Sequence, residues 1–94
     1  MTEENMLEDA PRGVAPPALC LRVCADADPA ALIRILICFQ TLNVVPRRVV
    51  AQLGTLETLR VRIHVTHLTE QQLSLIAAKV AQMPSVRNAH WIRI

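Results

Sequence analysis

Leu59-Arg60-Val61-Arg62-Ile63-His64-Val65-Thr66-His67-Leu68-Thr69-Glu70-Gln71-Gln72-Leu73-Ser74-Leu75-Ile76-Ala77-Ala78-Lys79-Val80 changes its apolar period once, and that change decides the fold. Leu59, Val61, Ile63 and Val65 alternate with Arg60, Arg62, His64 and Thr66, the period of two that a half-buried strand requires. From Leu73 the spacing lengthens: Leu73, Ile76, Ala77 and Val80 lie on one stripe of a helix. Between the two, Thr69 and Gln72 form a capping box and Leu68 can staple onto Leu73, so the helix start is marked three ways.

Working outward, Gly54 opens a short turn that joins this strand to a valine-rich segment, Val44 to Leu53, as a hairpin. Pro46 is tolerable there only at the beginning of a strand or on a sheet edge, so an edge strand is predicted. Further upstream, Leu19, Leu21 and Val23 alternate with Cys20, Arg22 and Cys24, which gives a first strand from Ala18. Asp28 is the expected cap of a helix with Pro29 at its first position, and Leu32, Ile35, Leu36 and Phe39 carry its buried stripe to about Leu42. Downstream, Pro84 ends the second helix, and Val86 to Ile94 reads as a last strand in which His90, Ile92 and Ile94 oppose Ala89, Trp91 and Arg93. The order βαββαβ is the split βαβ plan of a ferredoxin-like α+β sandwich. Right-handed crossovers then give a four-stranded antiparallel sheet in the order 2-3-1-4 with both helices on one face, and Pro46 on an edge strand.

A chain of 94 residues suits one domain. Residues 1–17 hold Glu3, Glu4, Glu8, Asp9 and four prolines or glycines among Pro11, Gly13, Pro16 and Pro17, with no sustained apolar period; a disordered acidic, proline-rich tail is expected there, and the domain over 18–94. The apolar fraction is 52%, yet Phe39 and Trp91 are the only aromatics, so the core must be aliphatic. No apolar run approaches the roughly 20 residues that span a bilayer, and the start of the chain is acidic rather than basic and then apolar. Three cysteines, Cys20, Cys24 and Cys38, lack the pattern of a disulfide framework. A cytoplasmic protein with free thiols and no membrane segment is expected. All ten Arg and Lys follow the first four acids, so residues 10–94 set ten basic groups against four acidic ones, a net +6.

Catalysis finds little support. A Cys nucleophile beside His64, His67 or His90 would need an orienting third group, and no local motif marks one. Cys20 and Cys24 are separated by three residues on a strand, about 13 Å at about 3.3 Å per residue, too far to share a metal ion. Gly13 and Gly54 are the only glycines, so there is no phosphate-binding loop. No catalytic residue, metal or cofactor is expected. Asp26 is left open between a solvated and a functional loop position.

If Leu19, Leu21, Leu59, Val61 and Ile63 face the helices, Arg22, Arg60, Arg62 and Arg93, joined by Arg48, form a basic open face. Nucleic-acid binding is its functional reading, since RRM modules use this sheet, but the stacking aromatics those modules need are replaced here by Cys20, Arg22, Cys24, Arg60, Arg62 and His64. On the first helix, Ile33 and Ile37 widen the apolar face beyond one stripe, and the reading favours a homodimer interface that also resolves the free sheet edges.

At the turn after the first strand, Asp26-Ala27-Asp28-Pro29-Ala30-Ala31-Leu32, followed at the helix end by Leu42-Asn43-Val44, resembles the ACT pattern over about Ala18 to Ile94. Within it, Asp28 to Leu36 looks most like the small regulatory subunit of acetolactate synthase in its short form. The resemblance implies a non-catalytic regulatory domain that dimerises, binds an amino-acid effector between subunits and contacts a large biosynthetic enzyme subunit. Asp26, Ala27, Asp28, Ala30 and Ala31, with Asn43 and Val44, would line the effector pocket. Where the family usually carries glycine this chain has Ala30, whose Cβ crowds the loop, so the resemblance implies dimerisation and partner binding more strongly than effector binding.

Overall fold

The computed structural model describes residues 18–94, and the tail expected over 1–17 lies outside the described residues. The elements are β1 (Leu19–Asp26), α1 (Ala31–Gln40), β2 (Arg48–Leu53), β3 (Thr58–Val65), α2 (Glu70–Ala81) and β4 (Val86–Arg93). All strand pairs are antiparallel, in the order β2-β3-β1-β4. This is the ferredoxin-like βαββαβ sandwich with order 2-3-1-4 that the sequence pattern predicts.

Alternation decides what each strand buries. Leu21 lies opposite Ile63 and Val23 opposite Val61 in the β1–β3 register, and all four are buried under the helices. From above, α1 contributes Ile35, Cys38 and Phe39, and α2 contributes Leu73, Ile76, Ala77 and Val80. Burying each such branched or aromatic side chain stabilises the fold by about 1.5–3 kcal/mol, set against the entropy of ordering it. The capping box at α2 forms as expected: Gln72 N–H donates to Thr69 Oγ1 at 3.1 Å and Thr69 N–H to Gln72 Oε1 at 3.0 Å.

Several boundaries differ from expectation. Helix α1 begins at Ala31, two residues past Pro29, because Asp28 uses its carboxylate on the near N–H of Ala30, at 3.0 Å, and so closes a turn ahead of the helix. It ends at Gln40, before Leu42, and the chain reverses through Asn43 in the left-handed region, φ 56°. The strand expected from Val44 starts only at Arg48, so Pro46 lies in the lead-in rather than in the ladder. The hairpin turn places two non-glycine residues, Leu56 and Glu57, at φ 58° and 54°.

One side-chain placement is overturned. Arg93 does not belong to the open face: it lies opposite Leu19, shares the helix side with Ala89 and Trp91, and pairs with Glu70 at the start of α2. Trp91 sets this orientation by packing partly into the core and donating its indole N–H to Ser74 Oγ at 2.7 Å.

Candidate functional site

The loop from Asp26 to Ala30 is fixed from three directions. Asp26 N–H donates to the Ser85 carbonyl at 2.7 Å, and Ala27 N–H donates to the Glu57 carbonyl at the hairpin tip at 2.9 Å. Arg87 reaches Asp26 Oδ1 at 2.8 Å, and among the described residues nothing bonds Oδ2. The pair is half exposed, so it orients the carboxylate more than it stabilises the fold. No sequence motif marks Glu57, Ser85 or Arg87; the first two lie in connections and Arg87 near the start of β4, all distant from Asp26 along the chain.

Ala30 N–H is taken by Asp28 Oδ1 and Ala31 N–H by the Asp28 carbonyl. Among the described residues, nothing accepts from Leu32 or Ile33 N–H, the next two donors of the first helical turn. Ser85 Oγ is buried with no hydrogen-bond partner among the described residues. Ala31 is itself a core residue, so only its backbone borders the loop.

Asn43 and Val44 are not brought to this loop within one chain. They sit beyond the other end of α1, whose ten residues span about 15 Å. There they line an apolar groove of about 380 Å³ with Leu36, Gln40, Val45, Pro46 and Val49, between the end of α1 and the edge strand β2. Ile33 and Ile37, 62% and 47% exposed, continue the apolar surface along α1, and Val49 and Leu53 carry it onto β2. The extra isoleucines are therefore surface, not core.

The opposite face of the sheet carries Arg22, Arg48, Arg60 and Arg62. Arg22 lies opposite Arg62 across β1–β3, and Arg48 opposite His64 across β2–β3. Arg22, Arg60 and Arg62 border a shallow concavity with Cys24, Gln52, Asn88 and His90. Cys20 stands opposite His64 as the strand pattern implies, but burial pushes its thiol up, which opposes a thiolate nucleophile. Among the described residues, no group of three His, Cys, Asp or Glu side chains is placed to hold a metal ion.

Partial burial, then the charges of Arg48 and Arg62, hold His64 below its ordinary value of 6.5. Stability from keeping this imidazole neutral is present above about pH 6.5 and is lost as pH falls through the lowered folded value, because the unfolded chain takes up the proton first. The melting temperature is expected to drop between pH 7.5 and 5.5, and His64→Asn should flatten that drop; an unchanged slope in the variant would assign the acid sensitivity elsewhere.

No helix among the described residues is long and apolar enough to cross a membrane. No curated protein matches the sequence. Among solved structures, the C-terminal domain of the MgtC protein from Mycobacterium tuberculosis superposes with a TM-score of 0.71 at 16% identity, over 94% of each chain. The ACT domain of GTP pyrophosphokinase from Chlorobium tepidum gives 0.67 at 9% identity, over 80% of this chain and 96% of that one. A homoserine dehydrogenase from Thiobacillus denitrificans gives 0.66 at 23% identity, over 82% of this chain but 17% of its own length. At these identities the likeness shows the fold. The family rests on sequence: the pattern of the ACT-like domain, a class that is commonly regulatory and ligand-binding rather than catalytic, matches residues 17–94. With the βαββαβ sandwich and the 2-3-1-4 sheet in agreement, this chain belongs to the ACT-like domain family.

Proposed function

We propose that this domain is a regulatory module that pairs with a second copy of itself, binds an amino-acid effector at the seam and acts on a biosynthetic enzyme, with the catalytic subunit of acetolactate synthase as the first candidate. The observation that carries the reading is the exposed apolar surface of Ile33, Ile37, Val49 and Leu53 beside β2, an edge strand among the described residues. A two-fold axis that packs α1 against its copy in antiparallel sense would set the Asn43–Val44 groove of one subunit beside the Asp26–Ala31 loop of the other. That accounts for residues lying about 15 Å apart along one helix and yet serving one pocket.

The chemistry at such a seam suits an α-amino acid. Free N–H groups of Leu32 and Ile33 at the positive end of α1 match a carboxylate, Asp26 Oδ2 matches an ammonium, and the apolar groove matches a branched aliphatic side chain. Asp28 has already engaged the N–H groups of Ala30 and Ala31, so the contact falls to Leu32 and Ile33. Titration calorimetry with valine, leucine and isoleucine is expected to give saturable heat for at least one of them, lost in Asp26→Ala. No heat at millimolar ligand would remove the effector and leave a pairing and partner-binding module.

Nucleic-acid binding through the arginine face has charge in its favour, but Trp91 lies on the helix side of the sheet and Phe39 in the core, so the face lacks the Phe, Tyr or Trp platform on which RRM modules stack bases.

A further inference from the structure

The open face of the sheet holds four arginines, Arg22, Arg48, Arg60 and Arg62, and no acid of the described residues neutralises them. The described acids lie elsewhere: Asp26 pairs with Arg87, Glu70 with Arg93, Asp28 closes the turn before α1, and Glu57 sits at the hairpin tip. Arg22 and Arg62 stand directly opposite each other in the ladder, an arrangement that costs stability when nothing lies between the charges. Gln52, Asn88 and His90 add further polar groups around the same concavity.

The remaining acids of this chain are clustered. Glu3, Glu4, Glu8 and Asp9 fall within nine residues, and the segment that carries them joins the fold at Leu19, the first residue of β1, the strand that also carries Arg22. Eight residues lie between Asp9 and Ala18, and at no more than about 3.3–3.6 Å per residue the connection reaches at most about 30 Å. Arg22 lies four residues beyond Ala18, about 13 Å along the strand. That reach exceeds the distance to Arg22, so the segment can arrive at the arginines of its own chain, where tethering makes the encounter intramolecular.

We infer that the open sheet face is the docking surface for the acidic segment Glu3–Asp9 of the same chain. The segment neutralises the arginine cluster and competes with any external polyanion for it. The inference stands apart from the effector reading, which concerns the helix side and the β2 edge.

The test compares backbone amide NMR spectra of the full chain with those of a Glu3→Gln, Glu4→Gln, Glu8→Gln, Asp9→Asn variant in 50 mM salt. Docking predicts shifts concentrated at Arg22, Arg60, Arg62, Val50 and Asn88, absent in 0.5 M salt where charges are screened, and absent when Arg22→Glu and Arg62→Glu are introduced into the full chain. A synthetic peptide of residues 1–12, added to the neutralised variant, is expected to restore the shifts and to bind about tenfold more weakly in high salt. Superimposable spectra at low salt would overturn the inference, as would shifts located on α1 and β2. Differences that grow with protein concentration would overturn docking within one chain and assign the face to the segment of a second copy. A short single-stranded RNA that shifts the same amides equally in both proteins would overturn the competition and give the face to nucleic acid.

Discussion

Phe39→Ala is expected to cost about 3–5 kcal/mol, the loss usual for removing a buried aromatic ring, and to lower the melting temperature by roughly 15–30 °C. Phe39 is 1% exposed, heads the largest fully buried side chains, and is the only aromatic ring enclosed by the core. Its neighbours are aliphatic chains of two packed layers, which cannot close over a ring-sized void without moving α1 along the sheet. A domain of this size holds only about 5–15 kcal/mol in total, so the variant should be partly unfolded at 37 °C. Urea melts at 25 °C check the magnitude, with Leu42→Ala as the control: Leu42 is surface-exposed beyond the end of α1 and its loss should stay within about 0.5 kcal/mol. Equal, small losses in both variants would mean that the core is organised around some other residue.

The same physics explains how much of this fold was legible. Strand β3 and helix α2 could be read nearly to the residue because one face of each is apolar, the other polar, and Thr69 and Gln72 carry the helix start in their own side chains. Strand β1 was legible for the same reason. Strand β4 was not, in one respect: its two alternating sets, Ala89-Trp91-Arg93 and His90-Ile92-Ile94, each mix apolar and polar residues, so period two located the strand without saying which set turns inward. Contact between Trp91 and Ser74 decides that, and it carries Arg93 to Glu70 with it. The start of α1 slipped because Asp28 can serve either the helix or the turn before it, and the choice depends on backbone geometry.

For the candidate site, the sequence marked the loop but not what holds it. Glu57 acts through its carbonyl from a left-handed turn, and Ser85 through its carbonyl from the α2–β4 connection, so neither side chain betrays the role. Asn43 stands out in the sequence only through its place in a family pattern; its φ of 56° gives a physical reason, since asparagine enters the left-handed region more readily than most residues and turns the chain toward β2. The two halves of the predicted pocket, at opposite ends of α1, form one site only if a second chain intervenes.

Ile33→Glu together with Ile37→Glu should therefore convert a dimer into a monomer while leaving the fold intact. Both isoleucines are exposed in the single chain, at 62% and 47%, so neither substitution empties the core. Glutamate forms helix at least as well as isoleucine; its charge suits the helix dipole at position 33, in the first turn of α1, and opposes it at position 37, in the last, so the two effects offset. The monomer should keep its stability to within about 0.5 kcal/mol. At a two-fold seam built on α1, the same changes would bury four unpaired carboxylates, a cost of several kcal/mol per charge that no nearby arginine of α1 other than Arg34 could offset. Light scattering at tens of micromolar protein is expected to give twice the chain mass for the wild type and the chain mass for the variant, with matching far-ultraviolet circular dichroism and melting of the isolated monomer. Effector heat should vanish along with the dimer, because the loop of one subunit loses the groove of the other. A monomeric wild type would sink the seam itself, and the Asp26 loop would then stand as half a pocket with no second wall.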